Sequence, residues 1–218
     1  MPFSLRARSR ARSRISTRAA YVALCLLSAW SAAHADYLWL EPASGGGLQV
    51  RSGSLDKPDT AAPALKEGRA FLHDGKELQA LPEGTGVSIS APGQGDVRYS
   101  AVEVGEGKTV TLYHARFGRA GTKAASDLEL VPTEPGGQVF KLVWKGRPVA
   151  ASQVQVETAA GWRRVLKPGT DGTVRMETPF PGLYVLEVTA RVNGSVVVDG
   201  VKYEDVRHTA TLSFEVSR

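Results

Sequence analysis

Four histidines are the residues of this 218-residue chain best suited to chemistry, because imidazole binds nickel, copper, zinc and iron. His34 lies in Ser31-Ala32-Ala33-His34-Ala35-Asp36, His73 in Leu72-His73-Asp74-Gly75-Lys76, His114 after Leu112-Tyr113, and His208 after Glu204-Asp205-Val206-Arg207. No two have the His-x-His or His-x3-His spacing that puts two ligands on one face of a strand or helix. A metal site would therefore need distant strands brought together. His73 reads as a solvated turn residue, and His114 as a partly buried, hydrogen-bonded strand residue. His208 reads the same way, and the carboxylates of Glu204 and Asp205 beside it make it a candidate ligand. Glu41 is a further candidate, at the end of the first strand beside Pro42. Trp39 stands on the same strand face at i, i+2, where a tryptophan is expected in the core.

The fate of His34 depends on the leader. Residues 1–18 are polar and carry six arginines, residues 19–30 are apolar apart from Ser28, and small residues follow at A-x-A spacing up to Ala35. That order is a secretion signal, so residues 1–35 are expected to be a cleaved signal peptide and the mature chain to reside in the periplasm. The apolar run of about 12 residues spans about 18 Å, short of the ~30 Å hydrocarbon core, so it does not read as a membrane anchor. Cleavage after Ala35 discards His34 and exposes Asp36. Cleavage after Ala33 leaves His34-Ala35-Asp36, whose amine, imidazole and carboxylate can chelate a divalent ion. Cleavage after Ser31 leaves Ala32-Ala33-His34, which suits square-planar Cu(II) or Ni(II).

The body behind the leader differs from the whole chain. Without the six leader arginines, 21 of the 27 basic residues remain against 22 acidic ones. Such a near-neutral chain lacks the electrostatic footprint of a nucleic-acid binder. The one cysteine, Cys25, lies inside the apolar run and leaves with it, which excludes a disulfide, a thiolate metal site and cysteine catalysis. There is no G-x-S-x-G elbow, H-E-x-x-H, P-loop or G-x-G-x-x-G. A non-enzyme is the expectation.

The elements that must position these residues are strands. No window shows a sustained helical stripe. Short alternating runs separated by turn residues recur instead: Val87-Ser88-Ile89-Ser90, Thr109 to Tyr113, Phe140 to Trp144, Val154 to Glu157, Leu183 to Val188, and Thr209 to Val216 with Ala210, Leu212, Phe214 and Val216 on one side. Lys57 to Leu65, with two prolines, reads as a loop. The fold class is all-β, with two antiparallel β-sandwich modules of immunoglobulin-like size. The first is expected over 36–119 and the second over 127–218, with 120–126 a small, polar linker.

Three blocks resemble an exported β family related to the periplasmic substrate-specific component of nickel and cobalt uptake. They are His34 to Pro42, Asp127 to Thr133, and the series Lys145-Gly146-Arg147-Pro148, Thr170-Asp171-Gly172-Thr173 and Pro181-Gly182-Leu183-Tyr184. The last is also similar to transthyretin-like and carboxypeptidase-regulatory-like sandwiches. Members place one or two histidines directly before the aromatic-Trp segment; here Asp36 and Tyr37 stand there, and His34 lies upstream. The resemblance implies a role in metal uptake, a divalent transition metal (Ni, Co, Cu, Zn or Fe) as the only cofactor, and a membrane metal-uptake transporter or receptor as partner. His34, Asp36, Glu41 and His208 are the candidate ligands. The other reading is a metal-free module that presents loops or an edge strand to a protein or glycan.

Overall fold

The computed structural model describes residues 37–91, 95–151 and 153–217. The leader, His34 and Asp36 lie outside them. The described residues form strands and a single short 3-10 turn, with no α-helix. The first half comprises β1 (Tyr37–Pro42), β2 (Leu48–Ser54), β3 (Lys57–Pro58), β4 (Leu65–Leu72), β5 (Glu77–Leu78), β6 (Ala80–Glu83), β7 (Gly86–Ile89), β8 (Val97–Val104) and β9 (Thr109–Phe117). The second half comprises β10 (Leu128–Pro132), β11 (Val139–Trp144), β12 (Arg147–Val149), β13 (Val154–Thr158), β14 (Arg163–Leu166), β15 (Thr173–Arg175), β16 (Gly182–Arg191), β17 (Val196–Val198), β18 (Val201–Tyr203) and β19 (Asp205–Val216). The Lys57–Leu65 segment pairs at its two ends, as β3 against the end of β2 and as Leu65, the first residue of β4, against Glu103 of β8.

The longest sheet has the order β14-β13-β16-β19-β9-β8-β4-β5 and draws strands from both halves. Its middle is the parallel pair β9 and β19, in register from Asp205↔Thr109 to Ser213↔Phe117. This corrects the expectation of purely antiparallel sheets. Parallel neighbours need a long crossover, and the chain between Phe117 and Asp205 supplies one. Alternation then splits the burial. The even-numbered residues Tyr184, Leu186, Ala210, Leu212 and Phe214 join Leu128, Leu130, Phe140 and Leu142 of the sheet β10-β11-β12 in one core. On the opposite face Tyr99, Ala101, Tyr113 and Ala115 join Leu38, Leu40, Leu48 and Val50 of the sheet β1-β2-β7-β6 in another. One sheet thus packs on each face of the long one, as amphipathic strands require.

Strand β1 is an edge of its own sheet and is buried on both faces. Leu38 and Leu40 enter the first core, while Tyr37 and Trp39 pack with Leu183 and Val185 of β16. The hydroxyls of Thr211 and Ser213 on β19 donate to the carbonyls of Leu38 (2.6 Å) and Leu40 (2.5 Å). Side chains thereby satisfy backbone acceptors that an edge strand would otherwise leave to water.

The 120–126 segment is tied to a buried ion cluster. Arg98 and Arg116 face each other across β8 and β9, both with no exposure. Glu129 Oε1 accepts from Arg98 Nη2 (2.9 Å) and Arg116 Nη1 (2.8 Å), and Asp96 pairs with Arg116. Backbone N–H groups of Ala120 and Gly121 donate to Asp96 Oδ1 and Oδ2, and those of Ala125 and Ser126 to Glu129 Oε2. Two like charges directly opposite each other would repel; two carboxylates offset that, and the carbonyls of Asp96, Lys123, Gly118 and Gly121 accept from the guanidiniums.

The turns of the second half match their residues. Lys145 and Gly146 both have positive φ, 46° and 78°, which a two-residue type I′ hairpin between β11 and β12 demands. The Tyr184 hydroxyl accepts from Phe180 N–H (3.0 Å) and donates to Phe180 C=O (2.9 Å), fixing the Pro181-Gly182 turn that leads into β16.

Candidate functional site

The parallel β9–β19 pair brings two histidines together. His208 lies opposite Leu112 and His114 opposite Ala210, so both imidazoles leave the same face one step apart. His114 Nε2 and His208 Nδ1 are 3.0 Å apart, and the rings are stacked at 5.3 Å with an interplanar angle of 5°. Both residues are buried, at 8% and 6% exposure. Trp144 of β11 meets His208 edge-on at 4.7 Å. The Lys145 N–H donates to the Asp127 carbonyl at 2.7 Å, which brings the start of β10 against the β11–β12 turn. Asp127, Trp144, Lys145 and His208 then line one side of a cavity of about 210 Å³, and Asn193, Ser195 and Val196 line another.

Electrostatics hold the pair uncharged. Burial pushes the His114 pKa down to about 4, and His208 adds to the effect, while Asp127 and Glu129 oppose it. Burial also lowers the pKa of His208, aided by Lys145 and opposed by Asp127. Neutral imidazole is the form that ligates a metal. A direct N···N hydrogen bond uses one ring N–H and one lone pair, and because it joins Nε2 of His114 to Nδ1 of His208 the two rings hold the same tautomer, both Nε2–H or both Nδ1–H. Were the two nitrogens to hold an ion in place of the shared proton, both would have to offer lone pairs, and the displaced proton would sit on the far nitrogen of its ring. The 3.0 Å separation is short enough that one ion at the usual metal–nitrogen distance of about 2.0–2.1 Å could be held by both nitrogens. Asp127 is the carboxylate nearby that could orient a ring from outside, as carboxylates do behind ligating histidines. Among the described residues no group of three or more His, Cys, Asp and Glu side chains converges, so any further ligand would come from water or from whatever carries the ion.

The other sequence candidates lie elsewhere. Trp39 is in the core at 1% exposure, and its indole N–H donates to Glu41 Oε2 at 2.9 Å. Glu41 is partly exposed and also pairs with Arg51 at 3.5 Å. The structure does not gather Glu41 with His208. His34 and Asp36 fall outside the described residues. His73 is exposed in the β4–β5 turn. Sequence reasoning placed His114 in a partly buried, hydrogen-bonded strand setting but did not pair it with His208. The only signal was that each histidine extends an alternating apolar face, and neither face reveals that the two strands are neighbours.

No helix among the described residues is long and apolar enough to cross a membrane. Neither a protein-family model, a curated protein nor a solved structure matches the chain.

Proposed function

We propose that this chain is a non-catalytic periplasmic accessory protein for transition-metal uptake, exported by its Arg-rich leader and built as two β-sandwich lobes of immunoglobulin-like and transthyretin-like kind. It binds a divalent ion, Ni, Co, Cu, Zn or Fe, through His114 and His208, and passes it to a membrane transporter or receptor. The observation that carries this reading is the buried pair of uncharged imidazoles, 3.0 Å apart, beside a cavity bordered by Asp127. The test is calorimetric titration of the export-processed protein with each of the five ions. One ion per chain is expected, and the double variant His114→Asn/His208→Asn should not bind it. Binding that survives in the double variant and disappears with Asp36→Asn would move the site to the mature N-terminus. No heat with any ion would sink direct binding.

The hairpin β17–β18 favours a second reading, a metal-free module that binds a protein or glycan. It exposes Val197 (63%) and Val201 (49%), apolar surface that isolated folds usually cover. A melting temperature unchanged by chelator or added metal would support this reading over the first.

A further inference from the structure

The first lobe has a solvent-open cleft beside its core. Between the sheet β1-β2-β7-β6 and the strands β4 and β8 lies a cavity of about 300 Å³, walled by Leu38, Val50, Leu65, Ala80, Pro82 and Val87. An engineered apolar cavity of about half that volume, about 150 Å³, is enough to take up benzene. Ala62, Pro63 and Thr85 line the same cavity from the connecting segments.

Two buried hydroxyl-bearing residues, Ser52 and Tyr99, line this largely apolar space, in addition to Thr85 on the connecting segment. The inward positions of β2 are Leu48, Val50 and Ser52, all buried. At the third, where alternation calls for an apolar side chain, Ser52 Oγ is buried and has no hydrogen-bond partner. Native folds leave few such atoms, and each calls for a reason. Tyr99, facing from β8, is the second. Burial raises its pKa, and no hydrogen bond counters that. Its ring and hydroxyl occupy the place a Cβ at residue 68 would need, so Gly68 is what lets Tyr99 lie at this wall. The register shift in β4 between Lys66 and Arg69 sits at the same point. The charged residue at the cavity, Arg51, alternates to the opposite face of β2, and its guanidinium is paired with Glu41. The cavity therefore offers an ionised guest no countercharge.

We propose that this cavity is a binding site for a small uncharged organic molecule, with a single ring or a branched alkyl body and one hydroxyl or carbonyl group placed between Ser52 Oγ and the Tyr99 hydroxyl. The site is separate from the histidine pair. The two can succeed or fail independently.

The test uses the processed protein with phenol, toluene and benzoate as probes, followed by amide NMR. Phenol should shift the amides of Leu38, Val50, Ser52 and Tyr99 saturably, and benzoate should not. Ser52→Ala should leave the stability of the ligand-free protein unchanged or raised, because no hydrogen bond is lost. It should weaken phenol about fivefold while leaving toluene unaffected. Ala80→Leu, which fills the space, should abolish binding of both. Millimolar phenol that leaves these amides unmoved would overturn the proposal. So would a Ser52→Ala protein that binds phenol as well as the parent.

Discussion

Two buried polar clusters on the same face of the long sheet respond to solution conditions in different ways. The histidine pair is neutral because burial has taken protonation away from it. An unfolded histidine titrates near 6.5, whereas His114 in the fold titrates at about 4. Between those values the unfolded chain takes up a proton that the folded one refuses. Stability should therefore fall as pH drops from 7 towards 4, by up to about 3 kcal/mol from His114. Urea midpoints at pH 7, 5.5 and 4 measure this, and His114→Asn should flatten most of the slope. The arginine cluster is held by charge pairing. Glu129→Gln leaves Arg98 and Arg116 buried without their shared countercharge, and should cost about 3–5 kcal/mol at pH 7, read from the same midpoints. The histidines, Trp39 and the acids were visible as residue types in the sequence. Their partners were not, because Arg98 meets Glu129 and His114 meets His208 only after β8, β9, β10 and β19 have been brought together.

Strands with strong alternation were legible in advance, and those held by their neighbours were not. Thr209 to Val216 displays its core face openly, and Ala210, Leu212 and Phe214 are buried as the pattern requires. The opposite face of the same strand reads Thr209, Thr211, Ser213, polar enough to suggest solvent. Yet it is buried, because two of its hydroxyls hold the carbonyls of β1. Thr211→Val keeps the shape and removes the donor from Leu38 C=O. It should destabilise by about 1–3 kcal/mol, and Ser213→Ala should do likewise at Leu40. Amide exchange measured on β1 and β2 should speed up in both variants more than exchange on β13 and β16.

At the scale of the molecule, the two halves share one long sheet through β9 and β19, and β1 touches strands of both halves, with Leu38 and Leu40 in the first core and Tyr37 and Trp39 against Leu183 and Val185 of β16. Composition alone marked 120–126 as a linker, since small residues with no alternation look like one. What it could not display is that Asp96 and Glu129 anchor the amides of that segment. Coupling through the sheet and the ion cluster should make residues 37–217 unfold together. Trp39 reports on the first half and Trp144 on the second. Their fluorescence transitions in variants that keep one tryptophan at a time should coincide in denaturant. Two separated transitions would show that the shared sheet does not couple the halves.

Metal binding by the histidine pair is tested most directly by the ring nitrogens themselves. In the 15N-labelled, processed protein at pH 7, both imidazoles should give neutral signals, with one donor and one acceptor nitrogen at the His114–His208 contact. One equivalent of Zn(II) should move His114 Nε2 and His208 Nδ1 together to metal-bound shifts, leaving His73 unmoved. Ring-nitrogen signals of His114 and His208 that stay where they were, while zinc binds elsewhere or not at all, would contradict the assignment.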